Sequence, residues 1–161
     1  MSFLRGANIA FFAALLASAL ALGPALAHLF ELPNKIGLPG DEYFIVQKAY
    51  RGWSLLGGLL LVQVAALATA AYLARTEPRT LKLVLLALVA VLAAQIVFWL
   101  FTYPANVATA NWTLQPASWE RLRWQWEYSH AAGAILQLSA FCLLIIAVLG
   151  RAPTTIPDGA R

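Results

Sequence analysis

Apolar residues run almost without interruption through four stretches of the chain, at about 8–27, 52–73, 81–101 and 131–149. Each is long enough to supply the roughly 20 helical residues that cross a hydrocarbon core of about 30 Å. The runs are continuous rather than alternating, which excludes the strands of a closed barrel. The pattern therefore predicts an all-α integral membrane protein, a four-helix bundle running up-down-up-down in a lipid bilayer. Residues 1–151 read as one transmembrane domain. Residues 152–161, with Pro153 and Pro157, read as a short disordered tail.

The connections differ in weight. The second, 74–80, is short, charged and carries Pro78, as suits adjacent antiparallel helices. The first spans about 31–51. Pro33, Gly37 and Pro39-Gly40 are expected to break it, and Asp41 to cap a helix that runs on into the second span. The third covers 102–117, after which Ser118 can cap the last helix, with Glu120 favourable in its first turn. That helix should run over 119–149, roughly 46 Å at about 1.5 Å per residue. Its first turns would stand out of the hydrocarbon, with Trp119, Trp124, Trp126 and Tyr128 as an aromatic belt. The first and third connections give the bundle one elaborated face.

Composition agrees with the pattern. Of 161 residues, 61% are hydrophobic and 11% charged, against about 25% charged in an ordinary soluble domain. Mean hydropathy is +0.73. The net charge of +4 is small and spread along the chain, which fits membrane orientation and not nucleic-acid binding. Arg5, Arg75, Arg79, Lys82, Arg151 and Arg161 fall on one side. Lys35, Lys48, Arg51, Arg121 and Arg123 fall on the other, together with Glu31, Asp41, Glu42, Glu120 and Glu127. The basic bias puts both termini in the cytoplasm, in an inner membrane, with the elaborated face outside. Cys142 is the single cysteine, so no disulfide framework exists. Ala25-Leu26-Ala27 before His28 resembles a secretory cleavage site, and cleavage would leave His28 N-terminal, as in some copper sites. The preceding run of about 20 residues exceeds the usual 7–15 of a signal peptide, so a retained first span is the expectation.

The candidate chemistry is a mirrored pair of motifs, His28-Leu-Phe-Glu31 and Glu127-Tyr-Ser-His130, which hold the two histidines of the chain. His and Glu three apart share a helix face. With the first and last helices antiparallel, the reversed order brings His level with His and Glu level with Glu at the outer membrane edge. Ionisable groups at that depth are expected to face the bundle interior. Three readings stand together. His28, Glu31, Glu127 and His130 could hold a divalent metal: iron, zinc, manganese or copper. They could form an interhelical salt-bridge network. His28 and His130 could grip a haem b. A proton relay or transport pathway is a further alternative. Gln63, Gln95 and Gln137 lie inside the spans, as interhelical hydrogen bonds or as a polar floor to the site.

Phe101-Thr102-Tyr103-Pro104-Ala105-Asn106 and Trp124-Gln125-Trp126-Glu127-Tyr128-Ser129-His130 carry a family resemblance. The layout resembles the anthrone-oxygenase-like family of small four-span membrane proteins, with a Pro-x-Asn element and then a Trp-rich segment ending in His. Pro104, Asn106, His130 and the tryptophans match. Ser129 stands where the family has Asn, and the Arg that follows the His there is absent. The resemblance implies oxygenation of an apolar, phenolic-type small molecule entering from the lipid, with Asn106 and Tyr103 orienting substrate. The leading expectation is a metal-dependent membrane oxidoreductase. The alternatives are a non-catalytic subunit of a membrane complex, a carrier, a homo-oligomer, or a single-haem b-type protein.

Overall fold

The computed structural model describes residues 2–151, with side chains from Gly6 onward. The tail expected at 152–161 lies outside the described residues. Six α-helices cover most of the rest: α1 Ser2–Lys35, α2 Gly40–Val46, α3 Leu56–Leu73, α4 Pro78–Val97, α5 Tyr103–Ala108 and α6 Trp119–Leu149. No strand occurs among the described residues. Four helical segments, Gly6–Lys35, Trp53–Leu73, Pro78–Ala108 and Trp119–Leu149, are long and apolar enough to cross a membrane. They form an up-down-up-down bundle in which α1 packs on α3, α3 on α4, α4 on α6, and α6 back on α1.

The bundle is small inside and large outside. Ala7, Ala10, Ala14, Ala17 and Ala21 are all buried on α1, at alternating steps of three and four residues. That 3.5-residue period is the seam of a left-handed helix pair. Ala131, Ala134, Ala140 and Ala147 are the buried counterparts on α6. Meanwhile Ile9, Phe12, Leu16, Leu61, Val89, Leu92 and Ile96 are exposed. Small residues allow close backbone approach, and helix association in lipid rests on such packing. Leu67, Val84, Val91, Leu144 and Phe11 close the core at the end of the bundle remote from the elaborated connections. Higher up, the amide of Gln63 donates to Gln137 (2.9 Å) and to Ser18 (3.3 Å). These two glutamines are thus interhelical hydrogen bonds joining α3, α6 and α1.

Several local expectations need correcting. Helix α1 does not stop before Pro33 but continues through it to Lys35. Proline removes a single donor, and a carbonyl near a helix end can turn to other partners. Helix α2 does not run into the second span. It starts after Pro39, gives way to 3-10 turns at Gln47–Tyr50 and Trp53–Leu55, and is separated from α3 by Gly52 at φ 87. Ser118 stands at the N-cap of α6, yet its side chain makes no capping hydrogen bond. The third connection contains α5. Between α4 and α5, Phe98–Thr102 forms a π turn. Pro104 has no N–H for the carbonyl one turn back, and an inserted residue accommodates that defect. The widened turn is tied to α6, because Gln125 donates to the Phe101 carbonyl (2.7 Å) and Thr102 and Ser129 hydroxyls meet at 2.7 Å.

Candidate functional site

The α1 seam continues past Ala21 with the same step into His28, Glu31 and Lys35, all on the face that meets α6. On α6 the facing positions are Arg123, Glu127 and His130. The apolar stripe that builds the bundle thus turns polar at the elaborated end. The first connection covers it as a cap, with Tyr43, Gln47 and Tyr50 spaced by four and three residues on one helical face.

The two imidazoles meet directly. The rings of His28 and His130 stack with centroids 4.0 Å apart and planes at 28°. Trp126 stands edge-on to both, at 5.0 Å from His28 and 4.2 Å from His130. Tyr50 and Trp53 complete the enclosure of His28 at 4.5 and 5.3 Å. His28 is buried, whereas His130 keeps partial exposure.

The carboxylates belong to a different group. The Lys35 ammonium lies 3.2 Å from Glu127 Oε1 and 3.4 Å from Glu31 Oε2, and it donates to the Tyr50 oxygen. Tyr43 donates to Glu127 Oε1 (2.9 Å), and Gln47 donates to Tyr43. Tyr50 in turn donates to Glu31. Lys35 also sits over the Tyr50 and Trp126 rings. Glu127 is fully buried and Lys35 is 3% exposed, so this is a buried ion pair with added hydrogen bonds. Above it, Arg123 donates to the Leu38 carbonyl (2.6 Å) and covers Trp119 and Tyr43. Burial, then the neighbouring Glu127, push the Tyr43 phenol well above its ordinary range. Burial and the hydrogen bond to Glu31 do the same for Tyr50. Both phenols therefore act as fixed donors.

The four residues expected as one ligand shell are therefore split: imidazole pairs with imidazole, and both carboxylates turn to Lys35. An ammonium already stands where a metal would need negative oxygen ligands. Among the described residues no group of three or more His, Cys, Asp or Glu is arranged to hold a metal ion. Nor do the residues fit a haem, since rings in direct contact leave no gap for a porphyrin between them.

The other two expected residues also separate. Asn106 Oδ1 accepts indole N–H bonds from Trp126 (2.8 Å) and Trp112 (3.2 Å). It fixes the wall of the imidazole pair without touching it. Ala110, Asn111 and Trp112 reach this position through three successive left-handed residues, at φ 48, 54 and 61. Such backbone costs a non-glycine residue roughly 1–2 kcal/mol each, a strain held here by burial of Trp112 among Tyr43, Phe44 and Trp126. Tyr103 is exposed and packs on Trp99 at 4.9 Å. Of the aromatic belt, Trp124 and Tyr128 are exposed and stack on each other, while Trp126 belongs to the site. Lys35, Tyr43, Gln47, Tyr50 and Arg123 are the members that sequence reasoning missed. The seven-residue step from His28 to Lys35 was the available signal.

No protein-family model, curated protein or solved structure matches the chain.

Proposed function

We propose that the protein is a membrane protein that draws an apolar, phenol-type molecule from the lipid and holds its hydroxyl at the His28–His130 pair. One observation carries this reading. The buried side-chain atoms left without a hydrogen-bond partner among the described residues are His28 Nδ1, Glu127 Oε2, Gln47 Oε1 and Arg123 Nε, all at this one end of the α1–α6 seam. Buried polar groups are normally paired, with protein or with ordered water, so four unpaired ones at one end call for further partners. In the proposed complex the substrate hydroxyl keeps its proton and donates a hydrogen bond to the unpartnered His28 Nδ1. The family resemblance implies oxygenation of such a substrate.

The test uses the full chain in nanodiscs with an alkyl-substituted nitrophenol, whose absorption responds to a hydrogen bond at its hydroxyl. Binding should shift the absorption band, and His130→Ala and His28→Ala should each weaken binding at least tenfold with the fold intact. Equal binding by the wild type and both variants would refute the reading. On the basic residues Arg75, Arg79 and Lys82, we propose that the cap lies outside an inner membrane, with both termini cytoplasmic. A reporter fused after Arg161 should then report as cytoplasmic, and a periplasmic signal would reverse the arrangement.

A further inference from the structure

The outer face of α4 carries a shallow groove of about 330 Å³, at the end of the bundle opposite the cap. Its walls are Pro78, Leu81, Leu85, Leu86 and Val89, with Lys82 as the single charged wall residue. From Pro78 to Val89 the helix rises about 16 Å. That is the depth of one leaflet of hydrocarbon, about 15 Å. This face is therefore an apolar track, with Lys82 about 6 Å below its Pro78 end and able to extend its flexible stem toward the headgroup level. Arg79, three residues before Lys82 on the same face, stands beside it.

Among the described residues, the charge around the track is not cancelled. Glu77 is the acid of this connection, and Arg151 holds both of its oxygens at 3.3 Å, while the Arg151 guanidinium lies over Phe11. Among the described residues, Arg75, Arg79 and Lys82 form no ion pair with a carboxylate. Arg75 folds back on Tyr72, donating to its carbonyl (3.0 Å) and covering its ring. Arg79 and Lys82 are both exposed at the head of the track. An apolar track headed by two cations that pair with no carboxylate among the described residues is complementary to one kind of occupant. We propose that this face of α4 binds one anionic phospholipid, its acyl chain along Leu81, Leu85, Leu86 and Val89 and its phosphate at Arg79 and Lys82.

Native mass spectrometry of the full chain from neutral detergent, titrated with phosphatidylglycerol or phosphatidylcholine, tests the site. Phosphatidylglycerol should be retained as one bound molecule, at least tenfold more tightly than phosphatidylcholine. The double change Arg79→Gln with Lys82→Gln should remove that preference. Leu85→Trp, which fills the track and keeps both charges, should weaken retention similarly. Arg51→Gln with Arg121→Gln, at the other end, should leave it unchanged. Equal retention of the two lipids, no loss in the Arg79/Lys82 variant, or displacement of the lipid by inorganic phosphate at matching concentration would overturn the proposal.

Discussion

Glu127→Ala should lower the stability of the protein by about 3–5 kcal/mol, toward the lower end because Glu31 remains beside Lys35. The substitution strands an ammonium that is 3% exposed and deprives Tyr43 of its acceptor. Unfolding in detergent, followed by heat or by a denaturing surfactant, measures the loss. The double change Lys35→Met with Glu127→Leu removes both charges together and should recover most of it, since apolar replacement of a buried pair is often neutral or better. A stable Glu127→Ala protein would mean that the pair contributes nothing and that the cap is held by its aromatic cluster alone.

Asn106→Leu should cost about 2–6 kcal/mol, from two indole donors that each lose a partner at about 1–3 kcal/mol when buried. Both Trp112 and Trp126 are buried, and both donate to the single oxygen Asn106 Oδ1. The variant should also show red-shifted tryptophan emission, because Trp126 is freed from its fixed place against His28 and His130. Asn106→Asp keeps acceptor oxygens at that position and should restore most of the stability. Unchanged emission in the leucine variant would show that packing of Trp126, and not its hydrogen bond, sets its position.

The spans were legible because lipid imposes a simple rule: about 20 apolar residues, with backbone groups satisfied inside each helix. The juxtaposition of His28 with His130 was legible for a related reason, since antiparallel helices and reversed motifs fix their level. Lys35 was not. It follows Pro33, and a proline near the end of an apolar run reads as a stop, although only one donor is lost and the helix goes on. Without Lys35, the two carboxylates were expected to turn toward the imidazoles. Tyr43, Gln47 and Tyr50 were hidden for another reason. They lie in a segment of mixed polarity whose place over the seam is decided by partners 84 residues away, as Tyr43 and Glu127 illustrate. Asn106 was found as a residue of interest from its motif, but its indole partners depend on a left-handed turn at Ala110–Trp112 that no local propensity encodes.

The alanine-lined interior also sets how this bundle responds to temperature. In a water-soluble domain, unfolding wets the core, and the resulting heat-capacity increase bends the stability curve and weakens the fold on cooling. Here Leu16, Leu61 and Val89 already face outward, and helices that come apart within the bilayer exchange contact with alanine for contact with lipid chains. Little apolar surface reaches water in that step. The stability of the spans should therefore vary almost linearly with temperature, with no cold-induced loss. Curvature should come only from the aqueous cap around Tyr43 and Trp112, which buries its aromatic rings away from water in the ordinary way.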